Sequence, residues 1–99
     1  MLVHNVFFWM KKDAPADAAR QTAEDALKYL KTKTVKQIWA GPPAKTDLRD
    51  VVNATFDLGL TVIFESVADH DLYQKDPQHQ VFIERNKKNW LHVEVYDFQ

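Results

Sequence analysis

Residues Phe64–Phe82 read FESVADHDLYQKDPQHQVF, and the fold turns on this stretch. An alternating apolar run ends at Phe64. Ser66 is a good helix N-cap, and Asp69 three residues on resembles a capping box, although Asp reaches back less well than Glu. About two turns of helix follow, reaching Tyr73. Pro77 stops them, because it has no N–H and its ring clashes with the preceding turn. Asp76 can cap a second helix with Pro77 at its first position. The phenol of Tyr73 and the imidazole of His79 therefore flank a helix break. The second helix carries His79, Phe82, Ile83 and Asn86 on roughly one face.

Upstream, Phe56 to Phe64 alternates, with Phe56, Leu58, Leu60, Val62 and Phe64 on one face of a strand and Asp57, Gly59, Thr61 and Ile63 on the other. Leu2 to Met10 is apolar on both faces: Leu2, His4, Val6, Phe8 and Met10 on one, Val3, Asn5, Phe7 and Trp9 on the other. Such a strand needs cover on each side. Asp13 as N-cap and Pro15 in the first turn predict a helix to about Lys31. Ala16, Ala19, Ala23, Ala26, Leu27 and Leu30 form its apolar face. Asp17, Arg20, Glu24, Asp25 and Lys28 form its solvent face. Val35–Ala40 reads as a strand closed by Gly41-Pro42-Pro43, and residues 42–50 as a polar loop. Leu91–Phe98 closes the chain as a strand, with Leu91, Val93 and Val95 opposite Trp90, His92, Glu94 and Tyr96. Arg85-Asn86-Lys87-Lys88 reads as a helix C-terminus, where cations oppose the dipole.

The order is βαββαβ, the split pattern of an α+β ferredoxin-like fold with a four-stranded antiparallel sheet. Helices cover one face of such a sheet. The other face is apolar here too, and a large bare apolar face is rare on a soluble monomer. A two-fold homodimer that packs the two open sheet faces together removes it.

Composition narrows the function classes. Ninety-nine residues suit one domain, residues 1–99. The formal net charge is −1, with no basic stripe to displace counterions, so no nucleic-acid partner is expected. The absence of cysteine excludes disulfides, thiol catalysis and Cys-type zinc sites. No apolar run approaches the ~18 residues of a membrane span, so no membrane partner is expected. The apolar start lacks both a basic n-region and a small-residue cleavage site, so no secretory leader is expected. Together these features predict a soluble, cytoplasmic protein.

Several residues, in order, resemble the stress-responsive A/B barrel domain family of the dimeric α+β barrel superfamily. They are Val3-His4 opening the first strand, Phe64-Glu65-Ser66 ending the third, Leu72-Tyr73, Pro77-x-His79-x-x-Phe82, and the closing Val95-Tyr96-Asp97-Phe98. The resemblance covers nearly the whole chain. It implies a homodimeric α/β barrel with two sheets face to face and helices outside. Plant polyketide cyclases of this fold use a first-strand histidine with a tyrosine and a histidine around the helix break, positions that match His4, Tyr73 and His79. Asp76 stands where many members carry a further histidine, and Leu58 where those cyclases carry one in the third strand.

The candidate site is a pocket between sheet and helices for a small, partly apolar molecule. His4, Tyr73 and His79 are its candidate catalytic residues, and Val6, Phe82 and Ile83 its candidate ligand-binding residues. Imidazole titrates near neutral pH, so His79 can take a proton alpha to a carbonyl. Tyr73 can orient His79 or hydrogen-bond the developing enolate oxygen, and His4 can position a substrate oxygen. Enolisation, aldol closure and isomerisation of this kind need no cofactor. Alternatively, the protein is a non-enzymatic stress or assembly protein in which Tyr73 points its hydroxyl at a structural His79. A monooxygenase or haem-linked enzyme of the same superfamily is the third reading, resting on Trp9, Trp39 and Trp90, whose commoner roles are core packing and dimer contact. No metal site is expected: His4, His79 and His92 offer nitrogen ligands, but no i, i+4 pair or clear carboxylate completes a set. His70 reads as a solvated helix residue.

Overall fold

The computed structural model describes all of residues 1–99. The elements run β1 (Leu2–Met10), α1 (Ala18–Tyr29), β2 (Val35–Gly41), β3 (Leu58–Phe64), α2 (Val67–Lys75), α3 (Pro77–Asn86), a 3₁₀ turn (Lys87–Asn89) and β4 (Trp90–Phe98). Four strands form one sheet in the order β2-β3-β1-β4, and every neighbouring pair is antiparallel. This is the ferredoxin-like α+β fold that the element order predicts.

The strands form because apolar β-branched and aromatic residues alternate along them. On the helix-covered face, Leu2, Val6 and Phe8 of β1 meet Leu58, Leu60, Val62 and Phe64 of β3. Ala26 and Leu30 of α1, Tyr73 of α2 and Phe82 of α3 complete this core. Burying each such side chain contributes about 1.5–3 kcal/mol relative to leaving it exposed. The opposite face holds Val3, Phe7, Trp9, Trp39, Ile63 and Tyr96, and no helix covers it. Trp39 and Tyr96 are 56% and 58% exposed there.

Four expectations from the sequence change. α1 starts at Ala18 rather than near Asp13, because Lys11–Ala14 and Pro15–Ala18 close as separate turns. Its buried stripe is Ala18, Thr22, Asp25, Ala26 and Leu30, so Asp25 faces inward and Leu27 is 40% exposed. The stripe is turned toward α3, whose Arg85 and Asn86 receive the Asp25 carboxylate. Irregular backbone fills residues 42–57, beyond the loop foreseen at 42–50, and β3 starts at Leu58. Phe56 consequently leaves the helix-side face and packs on Phe7, ring centroids 4.9 Å apart.

The fourth change is a β-bulge. Trp9 pairs with His92 but Met10 pairs with Trp90, so Leu91 is skipped. An extra residue flips the parity beyond it. Trp90 therefore lies on the helix side, 4.8 Å from Phe8 and 5.6 Å from Phe82 by ring centroids, rather than beside His92 and Glu94.

Candidate functional site

The break between α2 and α3 positions the site. The Ser66 hydroxyl accepts from the Asp69 amide (3.2 Å) and starts α2. Asp76 ends α2 with extended backbone, φ −66° and ψ 133°, the region that a following proline favours. Its carboxylate accepts from the Gln78 amide (2.8 Å) and starts α3. Each cap contributes about 1 kcal/mol. One extended residue between two helices brings Tyr73, at the end of α2, against His79, in the first turn of α3. Their rings meet edge to face, centroids 4.8 Å apart at 77°.

A cavity of about 190 Å³ opens beneath this break. His4 and Val6 of β1, Tyr73 and Gln74 of α2, and His79, Phe82 and Ile83 of α3 line it, with Leu30, Leu60, Phe8, Trp90, Val93 and Val95 supplying the rest of its apolar wall. Thus all six candidate residues named from the sequence border one space.

The polar groups in that space differ in their partners. His4 is 4% exposed, and its Nδ1 lies 2.5 Å from Asp97 Oδ1. A carboxylate only accepts, so Nδ1–H donates and Nε2 keeps the lone pair. The register explains the contact: His4 pairs with Asp97 across β1 and β4, on the same face of the sheet. Burial lowers the His4 pKa, with Asp97 opposing and His70 adding to the shift. Burial also lowers the pKa of His79, helped by repulsion from His4 and His70 and opposed by Asp76. Both imidazoles are therefore neutral bases at pH 7. Tyr73, 1% exposed, is pushed by burial well above the usual phenol range, so it acts as a hydrogen-bond donor. Neither the Tyr73 hydroxyl nor the His79 ring hydrogen-bonds another group of the chain.

The structure settles the place of two further histidines, one of them against expectation. His92 pairs with Trp9, so it faces the uncovered side of the sheet, where its Nε2 lies 2.8 Å from Glu94 Oε2. It cannot join His4 as a ligand. His70, expected in solvent, instead packs its ring 4.9 Å from that of His4 and 5.5 Å from Phe64, and its side chain is 16% exposed. α2 lies over the sheet so that its inner face carries both His70 and Tyr73, a pair at helical i, i+3 spacing. That spacing was a usable signal for placing His70 beside Tyr73. For the His4–Asp97 pair, only the β1–β4 register would have served.

A family model described as the stress responsive A/B barrel domain matches residues 2–99. No curated protein matches the sequence. Solved structures share the fold at low identity. A dimeric ferredoxin-like protein of unknown function from Thermobifida fusca has a TM-score of 0.79 and 15% identity, covering 98% of this chain and 88% of that one. A protein of the same family with a ferredoxin-like fold from Mesorhizobium loti has a TM-score of 0.76 and 19% identity, with 99% and 94% covered. The hydroxynitrile lyase of Passiflora edulis has a TM-score of 0.73 and 19% identity, with 98% and 90% covered.

Proposed function

The chain belongs to the stress responsive A/B barrel domain family, and from that premise we propose that it binds a small, mostly apolar carbonyl compound and catalyses proton transfer on it without a cofactor. The observation that carries this reading is the pairing of Tyr73 and His79. The Tyr73 hydroxyl and the half-buried His79 ring bond no other group of the chain and border a mostly apolar cavity that His4 and Gln74 also line, so both are open to a ligand. A ligand oxygen supplies what the chain does not. At about 190 Å³ the space lies below the ~300–1,000 Å³ of drug-sized sites, which favours a compact substrate.

In this reading His79, held neutral by burial, takes the proton alpha to the carbonyl. The C–H electron pair becomes the enolate, and the Tyr73 hydroxyl donates to the oxygen where the charge collects. His4, oriented by Asp97, positions a second oxygen of the substrate. The proton on His79 then returns to a different carbon of the enolate system, which gives isomerisation; or the enolate carbon attacks a second carbonyl of the substrate and the alkoxide oxygen formed there takes the proton from His79, which gives aldol closure. The same base and donor suit the cyanohydrin chemistry named for the Passiflora protein. The reading with a purely structural His/Tyr pair would have the Tyr73 hydroxyl bonded to His79, whereas the rings meet edge to face.

The protein acts as a homodimer whose open sheet faces pack together. The uncovered aromatic side chains of that face support this, as do the dimeric descriptions of neighbours of the same fold. Gel filtration should give about twice the 11.5 kDa chain mass; elution as a monomer would contradict it.

The test of the chemistry is deuterium uptake at the alpha carbon of a panel of small ketones and β-diketones, followed by NMR. Wild-type protein should accelerate uptake for at least one, and His79→Ala should lose about 100-fold or more of that rate. Uptake that survives His79→Ala would remove His79 from the role.

A further inference from the structure

The chemistry proposed above leaves His70 and the exposed side of Asp97 unused. His70 on α2, His4 on β1 and Asp97 on β4 come from three separate elements, yet one donor atom from each lies within 4.8 Å of the other two. Two imidazoles and one carboxylate are the donor set that first-row divalent ions such as Zn²⁺ prefer, and three protein ligands leave a coordination position open.

We propose that His4, His70 and Asp97 form a three-ligand site for a divalent transition-metal ion, with zinc as the type case, at the end of the sheet where His70 of α2 reaches the His4–Asp97 pair of β1 and β4.

The surroundings suit such an ion. His4 is buried and fixed by its strand, whereas Asp97 is 40% exposed at the side chain and opens the corner to entry. The polar contacts of the His70 ring are weak, with Asp71 Oδ1 at 3.2 Å from its Nδ1 and Gln74 Nε2 at 3.3 Å from its Nε2. Releasing them costs little, because exposed interactions of this kind contribute about 0–1 kcal/mol. Metal–ligand bonds of about 2.0–2.2 Å set tetrahedral donors roughly 3.4 Å apart, so His70 must move inward while the 2.5 Å His4 Nδ1–Asp97 Oδ1 contact opens and the ion takes the place of its proton. Phe64 packs on His70 from the other side and limits its swing. No lysine or arginine bonds any of the three residues. His4 also lines the cavity, so the ion's open position lies beside the ligand space.

The site shares His4 and Asp97 with the acid–base reading but not Tyr73 or His79, and its test uses no organic substrate, so the two can fail separately. Zn²⁺ is titrated into the full-length protein by calorimetry, and Co²⁺ by visible absorption. Wild type should bind one ion per chain with micromolar or tighter affinity, and the cobalt bands should be the strong ones of low coordination number. His70→Ala should weaken binding about 100-fold, and His70→Gln, which keeps more of the packing, should do nearly the same. Asp97→Asn should weaken it about tenfold. Circular dichroism melts establish that each variant is folded. His92→Ala should change nothing, which separates this site from the surface His92–Glu94 pair. Binding that needs millimolar metal, survives both His70 variants or disappears in His92→Ala would overturn the proposal.

Discussion

Two polar clusters border α3, one at each end, and they differ in how their groups are satisfied. At the C-terminal end Asn86, fully buried, donates to Asp25 Oδ2 and the Phe82 carbonyl, both at 2.9 Å. Its carbonyl accepts from Thr22 (3.2 Å), Arg85 Nε donates to Asp25 (2.8 Å), and Trp90 Nε1 reaches Thr22 at 3.4 Å. This seam joins α1, α3 and β4 with its donors and acceptors matched. At the N-terminal end, Tyr73 and His79 face a cavity with no partner in the chain. The first cluster holds the scaffold. The second leaves its groups open to a cavity. Polarity under a helix is therefore not a mark of function by itself; unsatisfied polarity beside empty space is the stronger mark.

The contrast breaks most severely at the seam. Asn86→Ala should destabilise the protein by about 2–3 kcal/mol in urea unfolding, since it takes one buried hydrogen bond from Thr22 and one from Asp25 and leaves a cavity under α3. The folded fraction should keep its deuterium-uptake rate. A loss of uptake without a loss of stability would mean that the seam, too, serves the reaction. Asp25→Ala should cost less, about 1–2 kcal/mol, because Arg85 is 45% exposed and can be resolvated. Burial alone would raise the Asp25 carboxyl, but the hydrogen bonds from Arg85 and Asn86 outweigh it and hold the pKa below the usual range. Its stabilising effect is therefore present above the ordinary carboxylate pKa and is lost as pH falls through the lowered one.

The cavity end carries a gentler pH dependence of its own. His4 and His79 have pKa values below the imidazole value of 6.5. The unfolded chain then binds more protons than the folded one once pH drops below 6.5, so stability falls from there until the folded-state values are passed. His79→Gln should flatten that part of the curve in melts taken between pH 7.5 and 5. An unchanged slope would place the proton linkage elsewhere.

These two ends were not equally legible in the chain. The helix break was legible because Asp76-Pro77 leaves the backbone one solution, and alternation in β1 and β3 fixed which residues share a face. Proline chemistry and period-two patterns are local, so Tyr73, His79, His4, Val6, Phe82 and Ile83 could be named before their placement around one cavity was visible. The rest depends on partners distant in sequence. Asp25 looked solvated because its partner lies 60 residues away. Trp90 changed face through a bulge that alternation cannot register. Asp97 meets His4 only through the pairing of the first strand with the last, and His70 turned inward because the inner face of α2 packs on the sheet, with its ring against His4.

The smallest expected effect on stability is also the most telling. Tyr73→Phe removes a hydroxyl that no other group of the chain bonds, while leaving the ring packed on Phe64 at 4.9 Å. Unfolding free energy and alpha-carbon deuterium uptake should be measured together on this one variant. Stability should stay within about 0.5 kcal/mol of wild type, the range of changes that disturb no buried contact. Uptake should fall about 100-fold, as for the loss of one oxyanion donor. A variant that loses stability and keeps its uptake rate would contradict the account, because the hydroxyl would then belong to the scaffold and not to a ligand.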